Sequence, residues 1–239
     1  MDLVERVLVV VAHPDDVDFA AAGTVAGWCA EGKQVWYCVV TDGDAGGNDQ
    51  SVGREEIRQL RRAEQVKAAA AVGVAGERIR WLGYSDGCLE LSLALRRDIA
   101  RVIRHVRPHL VLTQSPERDW GWLAPSHPDH LVTGEATFRA VYPDARNPFA
   151  FPELRTDERL EPWVVPEVWL SCGPRPNRFV DVTESFEAKM RALMSHASQI
   201  GDAASVEAEM RQWLGRQAET AGLPAGRLAE PFQVVSTRG

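Results

Sequence analysis

The sequence predicts an α/β protein with a mostly parallel sheet and helices on both faces, a three-layer αβα arrangement. Short apolar runs rich in Val, Ile and Leu recur along the 239-residue chain, and amphipathic stretches separate them. This alternation is typical of a parallel sheet covered by helices. Strands are expected at residues 7–11, 35–40, 78–82, 109–113 and 167–171.

The clearest helical signal lies in LALRRDIARVIRHV, residues 93–106, whose apolar side chains recur at the spacing of one buried face. Pro108 ends this helix before the next strand begins. The segment 143–166 is rich in proline and charge and is expected to form a long surface excursion. No repeat or composition break divides the chain, so a single domain over residues 1–239 is expected. Further helices are expected at 23–31, 54–72, 128–141, 183–199 and near 203–221.

Composition narrows the class of protein. The net charge is −7, from 27 Lys and Arg against 34 Asp and Glu, and no basic block stands out, so nucleic acid is not an expected partner. No apolar run approaches the ~20 residues that cross a bilayer, and signal-peptide features are lacking, so we expect no membrane association and a cytoplasmic location. The four cysteines lie singly, which suits reduced thiols. Both a monomer and a homo-oligomer are compatible with this composition.

Polar clusters follow the first four predicted strands. They read HPDD, TDGDAGG, GYSDG and QSPERDWGWLAPSHPDH. The carboxyl ends of the strands form the edge where open α/β sheets bind ligands. Four clusters at this edge favour one shared site.

The HPDD cluster, His13 to Asp16, and the HPDH cluster, His127 to His130, carry groups that bind divalent metals. HPDD by itself is equally compatible with a tight turn in which Asp15 or Asp16 caps the next helix. Two such clusters on one sheet edge favour a shared metal site instead.

The residue types in these clusters match the needs of a metal-dependent hydrolase. A catalytic zinc has three protein ligands and keeps a position for water, and the reaction needs a base and an oxyanion or amine donor. One Asp and two His as ligands would still leave an Asp and a His for those roles. Trp120 and Trp122, just before HPDH, are candidates for the wall of a substrate pocket.

The glycines of TDGDAGG have two interpretations. They suit a loop that cradles phosphate, but the Lys and Ser/Thr of a P-loop are missing. The simpler interpretation is that glycine lets the backbone pass close to the floor of the site.

The motifs AHPDD, TDGDAGG, RRAEQVKAAAAVGV, GYSDG, HPDH and FVDVTESFEAKMRALMSHASQ occur in an order that resembles the LmbE/PIG-L family of zinc-dependent deacetylases. The resemblance runs from about residue 6 to about residue 200. It implies a Rossmann-like fold and hydrolysis of the N-acetyl group of an N-acetylglucosamine-type conjugate. Family members serve mycothiol and bacillithiol synthesis and tailor glycopeptide antibiotics.

The resemblance also implies roles for individual residues. His13, Asp16 and His130 would hold one Zn²⁺ per chain, with Fe²⁺ as the alternative metal. Asp15 would be the general base for the metal-bound water.

The remaining site residues follow from the same resemblance. His127 would stabilise the oxyanion or protonate the leaving amine, and Asp129 would orient His127. Arg61 and Asp86 match substrate-binding positions. His196 matches a recurring position that is as compatible with a structural role as with a functional one.

One departure from the family is Pro125. Mycothiol-pathway members carry a tyrosine two residues before the first histidine of HPDH, where this chain has proline. Either another residue takes over its role, or His127 acts alone.

Three hypotheses follow. The leading one is an N-deacetylase that acts on a small-molecule amino-sugar conjugate and releases acetate and a free amine. The second is an amidase that cleaves a larger acyl group, for which a roomier acyl pocket is required. The third is a metal-bearing binding protein without turnover, in which loss of the Asp15 carboxylate would leave ligand binding intact.

Overall fold

A computed structural model describes residues 4–47 and 51–238, and in this part of the chain seven strands form one mixed sheet. The strand order is β3-β2-β1-β4-β5-β7-β6. The first five strands pair in parallel, whereas β7 runs antiparallel to β5 and to β6. The strands are β1 (Arg6–Val11), β2 (Gln34–Thr41), β3 (Ile79–Tyr84), β4 (Leu110–Gln114), β5 (Glu167–Ser171), β6 (Arg178–Asp181) and β7 (Ala229–Ser236).

Helices cover both faces of this sheet, as the sequence predicts. The α-helices are α1 (Asp16–Ala30), α2 (Arg54–Ala71), α3 (Leu93–Val106), α4 (Pro128–Arg139), α5 (Pro152–Thr156), α6 (Phe186–Leu193) and α7 (Ala203–Thr220). Short 3₁₀ turns lie at Gly76–Arg78, Ala124–Ser126 and Thr183–Ser185, and a π turn at Ala140–Asp144. Within the described ranges, no helix combines the length and the apolar character needed to span a membrane.

Strand β1 is buried on both faces and lies near the middle of the sheet. Val7, Val9 and Val11 face a core shared with α1 and α2, whereas Leu8 and Val10 face a core shared with α3 and α4. The alternation follows from the two-residue period of a strand. The loop after β1 is therefore anchored to a rigid element.

The predicted fold class is confirmed, and the five predicted strands are present with small shifts at their ends. The sequence analysis missed β6 and β7. Strand β6 has only four residues, and β7 contains Pro231 and the fully buried Glu230, so neither shows the apolar pattern of a core strand.

Three expectations were wrong, two about the bounds of helices and one about a segment expected on the surface. Helix α1 begins at Asp16 rather than at residue 23, because the HPDD turn leads directly into it. The helix expected at 183–199 is a 3₁₀ turn followed by α6, which ends at Leu193.

The segment 143–166 is the third correction, because it packs onto the core instead of running over the surface. Leu154 and Val165 in this segment are fully buried. The buried Arg104 of α3 anchors the segment, since its guanidinium donates hydrogen bonds to several of its carbonyl oxygens. These acceptors belong to Asp144, Ala145, Asn147 and Ala150.

A fully buried ion pair connects α1, α6 and β7. Lys189 Nζ lies 2.9 Å from Glu230 Oε1 and also donates to the carbonyl oxygens of Asp18 and Phe19. The Glu230 carboxylate accepts hydrogen bonds from the backbone of α1 as well. Each charge is therefore satisfied only while the three elements stay packed together.

We expect Lys189→Met to lower the free energy of unfolding by about 3–5 kcal/mol, because it leaves the Glu230 carboxylate buried without its cation. Arg211→Met removes exposed ion pairs with Glu187 and Glu207 and should cost less than about 1 kcal/mol. Urea denaturation of both variants measures the difference. Equal losses of unfolding free energy would show that the buried ion pair stabilises the protein no more than the exposed pairs do.

Candidate active site

The loops after β1 and β3 and the start of α4 meet at the carboxyl edge of the sheet. They bring together the imidazoles of His13, His127 and His130, whose ring centroids lie 5.1 to 5.4 Å apart. Three carboxylates contact these rings, from Asp16, Asp86 and Asp129, and Asp15 lies next to Asp16 in the HPDD turn. The structure thus gathers the members of both histidine clusters and the GYSDG aspartate in one place.

Three potential metal ligands converge within this group. His13 Nδ1 lies 3.1 Å from His130 Nε2, and Asp16 Oδ1 lies 3.0 Å from the same nitrogen. Asp16 Oδ2 lies 3.5 Å from His13 Nδ1. Ligands about 2.1 Å from a tetrahedral ion are about 3.4 Å from one another. The spacing and the donor set of two imidazoles and one carboxylate therefore fit a single divalent metal ion.

The far nitrogens of both imidazoles are held by acceptors. His13 Nε2 faces Asp86 Oδ1 at 3.0 Å and Asp129 Oδ2 at 3.2 Å. His130 Nδ1 lies 3.0 Å from the carbonyl oxygen of Pro125. Donation to these acceptors leaves a lone pair on the nitrogen of each ring that faces the candidate metal site.

Gln114 orients the Asp16 carboxylate through a hydrogen bond. Its Nε2 donates to Asp16 Oδ2 at 3.0 Å, its Oε1 accepts from the Ala12 amide, and the His13 amide also donates to Asp16 Oδ2. Asp16 Oδ1 stays directed at His130. Sequence reasoning missed Gln114, although its place as the last residue of β4 puts it at the sheet edge that carries the site.

The charge of the site favours cations. Burial lowers the pKa of His13, but Asp16, Asp129 and Asp86 outweigh this effect and raise the pKa to about 12. Burial opposes ionisation of Asp16, yet the nearby His130 and His13 hold the pKa of Asp16 well below its usual value. The carboxylates thus stabilise positive charge at the position where a metal ion would lie.

Asp15 sits at the N-cap position of α1 with φ 92° and ψ −28°, in the left-handed region. Its carboxylate makes no capping hydrogen bond, so the cap interpretation of HPDD does not describe this residue. Its amide donates to Gln65 Oε1 at 2.9 Å, and its Oδ2 accepts from Arg61 Nη2 at 3.0 Å. These two contacts from α2 hold a backbone conformation that costs roughly 1–3 kcal/mol.

Burial raises the pKa of Asp15 to about 6, and the positive charge of Arg61 opposes the rise. A carboxylate with this pKa is ionised at neutral pH and still accepts a proton more readily than an ordinary aspartate. This is the property that a general base requires.

Arg61, predicted to contact substrate, is only 4% exposed. Besides Asp15, its guanidinium donates to the carbonyl oxygens of Pro14 at 2.7 Å and Gly43 at 2.9 Å. A Cβ atom at Gly43 or Gly46 would lie 2.4 Å from Arg61 Nη1. The glycines of TDGDAGG therefore allow the backbone to pass close to this side chain, as the simpler interpretation holds.

His127 and Asp129 are arranged differently from the prediction that the Asp129 carboxylate orients His127. That carboxylate accepts from His13 and from the amides of Gly87 and Leu89. His127 Nδ1 instead accepts the Asp129 amide at 3.2 Å, because the first N–H groups of α4 have no partner within the helix. The His127 proton is therefore assigned to Nε2. Burial, followed by the charge of His13, lowers the pKa of His127.

His196 is fully buried, with Nε2 2.8 Å from Asp18 Oδ2. Gln65 Nε2 donates to the same oxygen at 3.0 Å, while Gln65 Oε1 accepts the Asp15 amide. His196 thus supports Asp15 through two intervening side chains. Sequence reasoning assigned no role to Asp18 or Gln65. The signal at Asp18 was a polar residue on a largely apolar helix, whereas Gln65 lies among other polar residues of α2 and gave no such signal.

We expect Gln114→Leu to weaken zinc binding by about 10- to 100-fold, because Asp16 loses the hydrogen bond that orients it. Competition with a chromogenic chelator measures the dissociation constant. Gln212→Leu is the control, since Gln212 also lies near the site but on the exposed surface of α7. An unchanged zinc affinity in Gln114→Leu would show that Gln114 does not support metal binding.

Comparisons with known proteins give a consistent picture. Residues 8–141 match the PIG-L family, described as GlcNAc-PI de-N-acetylase. The diacetylchitobiose deacetylase of Thermococcus kodakarensis is 32% identical over 82% of this chain and 70% of its own length. A probable N-acetyl-α-D-glucosaminyl L-malate deacetylase of Bacillus anthracis is 31% identical over 81% of each chain.

A solved structure agrees with these sequence relatives. The N,N'-diacetylchitobiose deacetylase of Pyrococcus horikoshii, in complex with an inhibitor, superposes with a TM-score of 0.88 at 30% identity. The superposition covers 98% of this chain and 84% of the other. The fold and the site, taken with these relatives, define an enzyme of the class that hydrolyses amide bonds. The chain belongs to the LmbE/PIG-L family.

Proposed function

We propose that this protein hydrolyses the N-acetyl amide of a glucosamine-type conjugate, using Zn²⁺ held by His13, Asp16 and His130. The observation that carries the proposal is the convergence of these three side chains beside the partly buried carboxylate of Asp15. The relatives support the choice of substrate, because the names of diacetylchitobiose and N-acetylglucosaminyl malate deacetylases share an N-acetylated glucosamine.

Two imidazoles and one carboxylate form a ligand set that suits catalytic zinc, with Fe²⁺ as the alternative. When bound, such a metal polarises the amide carbonyl and lowers the pKa of a water molecule at the site. We prefer Asp16 to His127 as the third ligand, because the His127 Nδ1 atom already accepts the Asp129 amide.

Asp15 takes a proton from the attacking water and delivers it to the nitrogen of the leaving amine. The water oxygen joins the acyl carbon, the C–N bond breaks, and the products are acetate and a free amine. A pKa near 6 suits both halves of this transfer at neutral pH. Arg61 and Gln65 act through Asp15 by fixing its position.

His127 donates a hydrogen bond from Nε2 to the carbonyl oxygen as negative charge develops there. The lowered pKa keeps this ring neutral, and a neutral imidazole is a hydrogen-bond donor rather than a source of protons for the amine. Of the two roles that the sequence left open for His127, the geometry therefore supports oxyanion stabilisation.

The hydroxyl groups of the sugar bind on the side of the site that carries Asp86. Asp86 is linked to the TDGDAGG loop, because its Oδ2 accepts the Ala45 amide and its own amide donates to Asp44 Oδ1. Arg54 donates to Asp44 and is well exposed. Carboxylate acceptors and a guanidinium donor at one edge suit a polyhydroxylated ligand.

The ligand assignment predicts the metal content of single variants. We expect wild-type protein dialysed after zinc loading to retain about one ion per chain, and His13→Ala, Asp16→Ala and His130→Ala to lose most of it. His127→Ala should keep its zinc. Elemental analysis by mass spectrometry measures the content.

His105→Ala serves as the control, because His105 lies exposed on α3, away from the site. Zinc retained by the three ligand variants would rule out this ligand set. Loss of zinc from His127→Ala, with retention in Asp16→Ala, would exchange the roles of these two residues.

The role of Asp15 predicts both the rate and its pH dependence. Asp15→Asn should keep its zinc and lose about 10²- to 10⁴-fold in kcat, because the base is gone. In wild type, kcat/KM should fall as the pH drops through about 6, where the Asp15 carboxylate becomes protonated. Release of free amine from N-acetylglucosamine and diacetylchitobiose measures both effects. Near-normal turnover by the zinc-loaded variant would exclude Asp15 as the base.

A further inference from the structure

A cavity of about 630 Å³ opens directly beside the candidate metal ligands Asp16 and His130. Much of its wall is apolar and comes from α1, the loop before α4 and helix α7. The apolar lining residues are Phe19, Ala20, Trp122, Pro125, Met210 and Trp213. Trp122 and Trp213 lie with ring centroids 5.9 Å apart, so the loop and α7 meet in this wall.

The site therefore has two unlike sides. The two nitrogens of His13 point in opposite directions, with Nδ1 toward Asp16 and His130 and Nε2 toward Asp86. The cavity adjoins the Nδ1 side, and the charged groups of Asp44, Arg54 and Asp86 lie on the Nε2 side.

The cavity is far larger than an acetyl group requires. A methyl group occupies about the volume of one water molecule, roughly 30 Å³. Cavities of about 300–1,000 Å³ normally hold whole small ligands. An acetyl group would leave most of this apolar wall in contact with water.

We propose that the cavity binds the acyl substituent of the substrate and that the preferred acyl group is a medium-length alkyl or aryl chain. The inference rests on the proposed function, since it concerns the same amide hydrolysis. Water adds to the acyl carbon and the C–N bond breaks, so a longer carboxylic acid replaces acetate as the product beside the free amine.

The chemistry of the wall favours the acyl group over the sugar. Asp16, Gln114 and His130 are the polar lining groups at the metal site, and Gln114 and His130 both already contact Asp16. Helix α7 contributes further polar side chains to the lining, and all of them are exposed: Glu209, Gln212 and Arg216. Sugar hydroxyls inside the cavity would lose water without gaining enough partners, whereas an alkyl chain gains from the transfer.

Pro125 contributes to the same selectivity. Its carbonyl oxygen orients His130, while the residue itself lines the cavity. A larger side chain here would occupy the space next to the metal ligands. Met210 and Trp213 on α7 face the same space and are the specificity-determining residues that we assign to this helix.

The test compares N-acetyl-, N-butanoyl-, N-hexanoyl- and N-benzoylglucosamine as substrates of the zinc-loaded enzyme, with release of glucosamine as the readout. We expect kcat/KM to rise up to about fourfold for each methylene added between acetyl and hexanoyl. Met210→Trp, which fills the cavity, should lower the ratio of kcat/KM for the hexanoyl substrate to kcat/KM for the acetyl substrate by at least about tenfold. Pro125→Tyr should shift the preference in the same direction.

Ala208→Trp is the matched control, because it places the same side chain on an exposed position of α7. It should leave the chain-length profile unchanged. A wild-type kcat/KM that is highest for acetyl would overturn this inference and leave the proposed function intact. No turnover of any N-acylglucosamine or of diacetylchitobiose would instead contradict the proposed function itself.

A second arm uses hexyl glycosides of N-acetylglucosamine. If the hexyl group improves kcat/KM on the sugar and not on the acyl side, and Met210→Trp removes that gain, the cavity holds the aglycone and the proposal is overturned. A gain confined to the acyl series supports it.

Discussion

The contacts that hold both nitrogens of the His13 ring fix the geometry of the rest of the site. One ring nitrogen faces Asp86 and Asp129, and the other faces Asp16 and His130. The ring cannot rotate without breaking both sets of contacts, so its position fixes the direction of the lone pair that faces the candidate metal site. The same ring divides the site into a charged side and an apolar side. The candidate metal site and the side of the site proposed for the sugar thus depend on the same contacts of His13.

The contacts around His13 bring several carboxylates close together. Residues from several helices hold these carboxylates in position. Asp15 is held in a left-handed backbone conformation by Arg61 and by Gln65, both on α2. Gln65 leads on to Asp18 and His196, so residues far apart in the chain fix one carboxylate. Strain at a catalytic group is tolerated when the surrounding contacts over-determine its position. A metal ion at the site would relieve the repulsion among the carboxylates.

Helix α7 supplies part of the cavity wall, although it lies outside the site motifs. It lies after the last motif in the chain and still supplies Met210 and Trp213 to the wall beside the candidate metal ligands. Trp122, which the sequence suggested as a pocket wall, lines the same cavity, whereas Trp120 is 83% exposed and does not. The choice of acyl group is therefore controlled by residues outside the motifs that identify the family.

The parallel core and the sheet edge that carries the site could be predicted from the sequence alone, because both depend on local patterns. These patterns are the apolar run of a buried strand and the polar residues that follow it. The family resemblance carried by two short motifs predicted His13, Asp16 and His130 as metal ligands, and the structure brings these three side chains together. Strands β6 and β7, the supporting Gln114 and the turn of the Asp129 carboxylate toward His13 were decided only by tertiary structure. Each depends on partners distant in the chain, and no local pattern records which distant groups a polar side chain will meet.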